Sequence, residues 1–247
     1  VNYLMTIAYD GTEYQGWQIQ PGKPTIQQQI TDALSRIAAG TVTIHGAGRT
    51  DAGVHALGQR ASFHLPRELS DRFPCDSLQA ALNGHLPADI RVSAMQTVAG
   101  NFHARFDARE KTYQYELDTA RIHHPLRARF AWHYTYPLNP DLLRETSLLL
   151  MGTHDFTPFT VTSCETRTRV RTLTDFSLEA DGGLLRLSFT GDGFLRYQVR
   201  RMVSTLLAFN RRRWQPQSFE EAVRLSEKTK STVLAPAKGL TLMKVGY

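Results

Sequence analysis

Only two cysteines, Cys75 and Cys164, occur in the chain, far apart and in neither a metal nor a redox spacing. That argues against a disulfide scaffold and fits a reducing, cytoplasmic setting. No apolar run approaches the roughly 20 residues of a membrane span, and the opening residues carry no signal-peptide pattern. Nine histidines are present, yet none forms H-x-x-x-H or sits near a cysteine pair, and the adjacent His123-His124 lies in an Arg-rich segment. A metal site is therefore not expected. Exact repeats, low-complexity stretches and a Walker-type G-K-[ST] ending are missing as well.

What remains is ordinary for a globular chain: 247 residues, 41% hydrophobic and 21% charged, enough to bury a core as one large domain or two small ones. The formal charge of +6 attracts polyanions, nucleic acid first, and says nothing about fold.

Along the chain, residues 3–10 alternate as a strand and end at the turn signal Asp10-Gly11. Thr25 reads as an N-cap for a helix with Ile26, Ile30, Leu34 and Ile37 on one face, closed by Gly40. Strands are expected at 42–45 and 59–63, with a glycine-rich loop between them. A Pro-punctuated linker (66–74), a helix at 76–83 ended by Gly84 and a strand at 90–98 follow. Residues 111–117 alternate, with Tyr113, Tyr115 and Leu117 on one face. A basic loop (121–129), a strand at 130–134, a helix from Pro140 to Met151, and a loop around His154 come next. Two long strands, 169–179 and 184–190, meet at Asp181-Gly182-Gly183. An amphipathic helix within 196–210, a short helix at 219–226 and a strand at 239–245 finish the chain. Strands separated by helices without a strict β-α rhythm indicate a mixed sheet in an α+β architecture, and composition shifts near residue 107.

The stretch that organises the rest is Gly46-Ala47-Gly48-Arg49-Thr50-Asp51-Ala52-Gly53-Val54-His55. Its glycines admit backbone conformations closed to other residues, and a loop held between strands is where chemistry is commonly placed. Alone, Arg49 and Asp51 read first as an exposed ion pair of little consequence. A phosphate cradle fails, because Asp51 stands where G-x-G-x-x-G needs its third glycine. Tyr113 is a core aromatic or a surface on which an RNA base stacks. Phe194 and Leu195 precede arginines, Arg196, Arg200 and Arg201, that form a solvated face or serve an anion. Arginines near aromatics, as at Arg105-Phe106, in 121–129, at Arg167 and Arg169, and in Arg211-Arg212-Arg213-Trp214, suit phosphate contacts or plain surface charge.

Together these segments resemble the TruA family of tRNA pseudouridine synthases. The aspartate loop is the most specific part. Tyr9-Asp10-Gly11, Gly16-Trp17-Gln18, Phe102-His103-Ala104-Arg105-Phe106, Lys111-Thr112-Tyr113-Gln114-Tyr115, Asp155-Phe156-Thr157-Pro158-Phe159 and Pro236-Ala237-Lys238-Gly239-Leu240 match in the same order. The resemblance implies an isomerase without metal or organic cofactor, acting on uridines 38, 39 and 40 of the tRNA anticodon stem-loop. It implies a homodimer with no membrane association. It also implies two related ferredoxin-like (RRM-like) α+β halves, 1–107 and 108–247, with mixed, mainly antiparallel sheets meeting at a basic cleft. The first half would carry the aspartate loop; the second would complete the cleft and the dimer surface. By motif, Asp51 is the catalytic aspartate, Arg49 its ion-pair partner and Tyr113 the active-site tyrosine. Phe194 and Leu195 form an apolar wall, and Arg200, His55 and Arg105 complete the substrate-binding set. The chain departs where relatives often follow Phe-Leu with Tyr-His-Met-Val-Arg-Asn, reading Arg196-Tyr197-Gln198-Val199-Arg200-Arg201 instead.

Overall fold

The computed structural model describes residues 1–161, 166–229 and 234–247, so Cys164 lies outside the described residues. They form a mixed α/β fold of ten mostly antiparallel strands and six α-helices. The chain divides into two compact units, Val1–Arg109 together with Thr241–Tyr247, and Glu110–Leu240.

In the first unit β1 (Asn2–Tyr9) is central, antiparallel to β3 (His55–His64) on one side and to β4 (Ile90–Val98) on the other. Strand β2 (Ile44–Gly46) pairs with the far part of β3, and β10 (Leu240–Gly246) runs parallel to its start. Helix α1 (Ile26–Ala38) buries Ile26, Ile30, Ala33 and Leu34, and the Thr25 side chain caps it by accepting from Gln28 N. The left-handed residue that ends α1 is Ala39 rather than Gly40, with a φ of 49°.

Proline, more than glycine, sets the next boundaries. The segment expected as a linker contains α2 (Arg67–Arg72), and α3 (Cys75–His85) runs through Gly84. Each helix stops at an extended residue, Phe73 or Leu86, that precedes a proline. The proline ring crowds the residue before it out of helical backbone.

In the second unit β5 (Glu110–Asp118) pairs with β9 (Leu184–Gly191), β9 with β8 (Val170–Asp181), and β8 with β7 (Gly152–Asp155), all antiparallel. The His154 segment is therefore a strand where a loop was expected. Strand β6 is only Trp132–His133, parallel to β5, shorter than the sequence suggests. Gly182 and Gly183, with φ of 53° and 80°, close the β8–β9 hairpin in the two-residue form that needs positive φ twice. Helix α4 (Pro140–Leu148) packs on α5 (Gln198–Arg212), whose buried face carries Val199, Met202, Val203, Leu206 and Leu207. Helix α6 (Phe219–Thr229) follows. No described helix is long and apolar enough to cross a membrane.

Both units share an order. In chain order β1, α1, β2, β3, α3, the third strand lies between the first and second. In β5, α4, β8, β9, α5, the third strand again lies between the other two.

The α4–α5 corner is tied by a reciprocal pair: Asn139 N donates to Asn210 Oδ1 and Asn210 Nδ2 to Asn139 O. The Asn139 side chain also accepts from Asp141 N and Leu142 N, capping α4. Asn139→Ala should therefore lower unfolding stability by about 1 kcal/mol, read as a lower urea midpoint with unchanged far-UV dichroism.

Candidate active site

Strand β3 starts four residues earlier than its apolar pattern suggests, because His55 and Ala56 pair with β10 and Ala56 with Tyr9. The loop proper is thus 47–54, and its backbone is fastened along its length. Ala47 N donates to Arg60 O, Trp17 N to Thr50 O, Gly53 N to Tyr14 O and Val54 N to Asp51 O. Gln59, fully buried, donates its side-chain N–H to Gly48 O at 3.0 Å. Tyr9 Oη and Thr50 Oγ1 share a hydrogen bond of 2.8 Å, and burial pushes the Tyr9 hydroxyl pKa well up, so the phenol stays neutral.

Glycines permit this clamp. A Cβ on Gly16, whose φ is +88°, would stand 2.5 Å from Thr50 O, and one on Gly46 would stand 2.6 Å from the Trp17 ring. The segment 12–24, irregular in sequence, is thus the floor beneath the aspartate loop. Trp17 O and Gly16 O accept from the first turn of α1, at Gln27 N and Ile26 N, which ties that floor to the helix. Tyr14 Oη donates to Asp89 Oδ1 at 2.8 Å from the other side.

On this frame Asp51 is half-buried and Arg49 exposed. His55 is buried, its Nδ1 accepting from Gly11 N at 3.0 Å and lying 3.2 Å from Asp10 Oδ1. It braces the end of the loop against the turn after β1. Arg105 is exposed, with its guanidinium 5.8 Å from the Phe106 ring centroid. Phe106, 75% exposed, lies tilted against His103, which lies tilted against His45.

In the second unit Tyr113 is buried on β5 with its ring edge-on to Phe194, centroids 5.2 Å apart. Two residues on, the same strand face carries Tyr115, whose Oη donates to Pro236 O. A Cβ on Gly239 would strike that ring at 2.6 Å, so residues 236–240 lie flat against Tyr115. Leu195 is buried, and its N–H donates to Gln198 Oε1 at 2.8 Å. Arg200 Nε donates to Ala235 O at 2.7 Å, and its guanidinium sits over the Tyr197 ring. Tyr197 has φ +65° and Arg196 is also stacked on it; this left-handed residue is why α5 begins at Gln198 and not at Arg196. The motif at 155–159 buries Phe156 and Phe159, and the next residue, Thr160, donates Oγ1 to Arg196 O. Tyr9 and Gln198 entered the sequence reading only as members of quoted stretches, and Gln59 only as the start of a strand; their supporting contacts come from the fold.

Chemically, the first unit offers one carboxylate on a clamped backbone, and the second offers a buried phenol edge-on to Phe194. Among the described residues, no group of three or more His, Cys, Asp or Glu is placed to hold a metal ion.

The sequence profile described as tRNA pseudouridine synthase matches residues 5–107 and 147–247. A Limosilactobacillus reuteri protein named tRNA pseudouridine synthase A is 38% identical over 99% of this chain and 96% of its own length. Its namesake from Streptococcus thermophilus is 40% identical over 100% and 99%. Protochlamydia amoebophila tRNA pseudouridine synthase A 1 is 38% identical over 99% and 96%.

If Gly16 holds the loop down, Gly16→Ala should cost about 1–3 kcal/mol of stability. Hydrogen exchange at the Trp17, Ala47 and Gly53 amides should quicken at least ~10-fold, a fall of about 1.4 kcal/mol in the free energy of opening. Gly22→Ala, also at positive φ but with nothing within 4 Å, should leave those amides unchanged.

Proposed function

The chain belongs to the tRNA pseudouridine synthase family, and from that premise we propose that it converts uridine to pseudouridine at positions 38, 39 and 40 of the tRNA anticodon stem-loop, with Asp51 as the catalytic carboxylate. The observation that carries this is the clamp on residues 47–54, which spends six backbone or side-chain hydrogen bonds on presenting one half-buried carboxylate. A loop used only as a surface turn has no need of that fixation.

The reaction breaks the uridine N1–C1′ bond, turns the uracil, joins C5 to C1′ and releases the C5 proton. The target nucleotide first leaves its stack, at a cost of a few kcal/mol that contacts to the flipped nucleotide and to phosphates offset. Ionised Asp51 then either attacks C1′ and expels the uracil anion, to be displaced when C5 bonds C1′, or removes the C2′ proton as the uracil anion leaves and returns it to the glycal when C5 bonds C1′; N1 ends protonated as C5 loses its proton. Arg49 keeps the carboxylate ionised by its positive charge. Tyr113 faces the uracil and takes the C5 proton, directly or through water, a neutral phenol being a weak base. Phe194 and Leu195 supply the apolar wall, and Arg200, His55 and Arg105 complete the substrate-binding set. Redox chemistry and net group transfer are absent, so the reaction needs no metal or organic cofactor.

We further read the two units as related ferredoxin-like halves, 1–107 and 108–247, whose sheets meet at a basic cleft. The shared order of strands supports this. We place the enzyme in the cytoplasm as a homodimer, and a stable monomer in sedimentation at working concentration would overturn the dimer.

Tritium release from tRNA labelled at uracil C5 tests the chemistry. Wild type should release tritium and Asp51→Ala should not, while both bind tRNA. Equal release by the two proteins would remove Asp51 from its role, and binding without any release would leave an RNA-binding module. Arg49→Ala should lower turnover roughly 100-fold with little change in tRNA affinity; a loss confined to affinity would make Arg49 a phosphate contact.

A further inference from the structure

Residues 119–131 follow β5 and contain Arg121, Arg127, Arg129 and two histidines, and no acidic residue occurs from 119 to 140. This is not a loose connection. Asp118, fully buried at the end of β5, accepts from His123 Nδ1 at 2.8 Å and from the backbone of Ala120 and His124 at 3.2 Å each. Arg127 approaches the same carboxylate at 3.7 Å. Burial alone would raise the Asp118 pKa, but these hydrogen bonds outweigh it and hold the carboxyl below its ordinary value. The His123 ring stacks on His133 at 4.7 Å, and His133 Nε2 meets Ala120 O at 2.9 Å. Thr119 Oγ1 donates to Gly183 O, and Lys238 Nζ donates to Ala128 O.

The loop so fixed presents an unusual surface. Arg121 and Arg129 are exposed, and between them stand Ile122 at 79% and Leu126 at 81% exposure. Asp181, on the adjoining hairpin, faces Arg186 at 3.8 Å. Exposed apolar side chains set among cations mark a contact face. Charge decides the occupant: a second copy docked isologously would bring the same arginines against one another, whereas a polyanion is attracted by all of them. Arginine suits phosphate by its fork of donors, and Ile122 and Leu126 suit the ribose faces between phosphates.

Position separates this face from the chemistry. Asp118 lies five residues beyond Tyr113 on one strand, about 17 Å at strand rise. We propose that residues 119–131 are a preformed docking element for tRNA backbone, which grips phosphates away from the uridine being isomerised and so adds affinity without touching the chemical step. This rests on the reading above that Tyr113 faces the target uridine.

The test uses the full chain carrying both Arg121→Ala and Arg129→Ala, at two exposed positions, with Arg121→Ala alone alongside and far-UV dichroism to check the fold. Dissociation constants for unmodified tRNA are measured across a salt series, alongside single-turnover tritium release at saturating tRNA. Binding should weaken about tenfold, and the slope of log K against log salt should flatten by roughly 1.4–1.8, two phosphate contacts' worth. The release rate at saturation should stay within about twofold of wild type. Unchanged affinity and slope would overturn the proposal, as would a lower release rate at unchanged affinity. A shift to monomer in sedimentation with tRNA affinity intact would overturn it too, making the face a protein contact. Failure of the wild-type protein to release tritium would strike the isomerase assignment instead, and the salt series would still decide the loop.

Discussion

The contact between the Gly16-Trp17 backbone and the underside of the Thr50-Asp51 peptide is what the rest of the first unit is arranged to make. Trp17 N–H reaches Thr50 C=O only because Gly16 has no Cβ and takes a positive φ. That close approach lets a loop with few side chains of its own be held by its main chain. Holding it any other way would need bulky residues inside the loop, and these would obstruct whatever Asp51 faces. Backbone hydrogen bonds fix position while leaving the open side of the loop clear, which is the condition for preorganised chemistry. Tyr9, Gln59 and Gly11 serve the same end from β1, β3 and the turn.

The repeated strand order puts this loop in context. In the second unit the connection between the strands matching β2 and β3 is the two-residue turn Gly182-Gly183. In the first unit the same connection is drawn out into residues 47–54. A hairpin connection lies at a sheet end, where added length disturbs no strand pairing, so it is a cheap place to elaborate a site. The tight version closes in the second unit against the base of the arginine loop, through Thr119 and Gly183.

Local pattern carried the elements whose cause is local. The periodic face of α1, the alternation of β5 and the double glycine of the β8–β9 hairpin were all readable, since propensity, burial and turn chemistry agree there. Boundaries set by distant partners were not. The early start of β3 depends on β10, some 180 residues away in sequence. The helical turn in 67–72 hides in a stretch whose prolines read as breakers, although they only mark its two ends. The site was legible as a loop carrying Arg49 and Asp51, but its floor was not, because nothing in Gly16-Trp17 itself says that it lies beneath Thr50. His55 shows the same limit, since nothing in its residue type says that it is buried with Gly11 N donating to its ring.

The stretch 196–201, where the chain departs from the pattern it otherwise resembles, has a physical account of its own. Gln198 stands at the first turn of α5, fully buried, and would be a liability there with its amide unmet. Its Oε1 accepts from Leu195 N and its Nε2 reaches Met202 Sδ at 3.7 Å, so both ends of the amide are engaged. A thioether could fill that volume but could not accept from Leu195 N with comparable strength. Gln198 therefore fixes the Phe194-Leu195 turn by a hydrogen bond. Tyr197, left-handed at a cost of about 1–3 kcal/mol, is held by the two arginine planes stacked on its ring. Those same stacks aim Arg200, which Ala235 O grips from the other side. The Phe194-Leu195 turn and the Arg200 guanidinium are thus set by one strained residue and one buried amide.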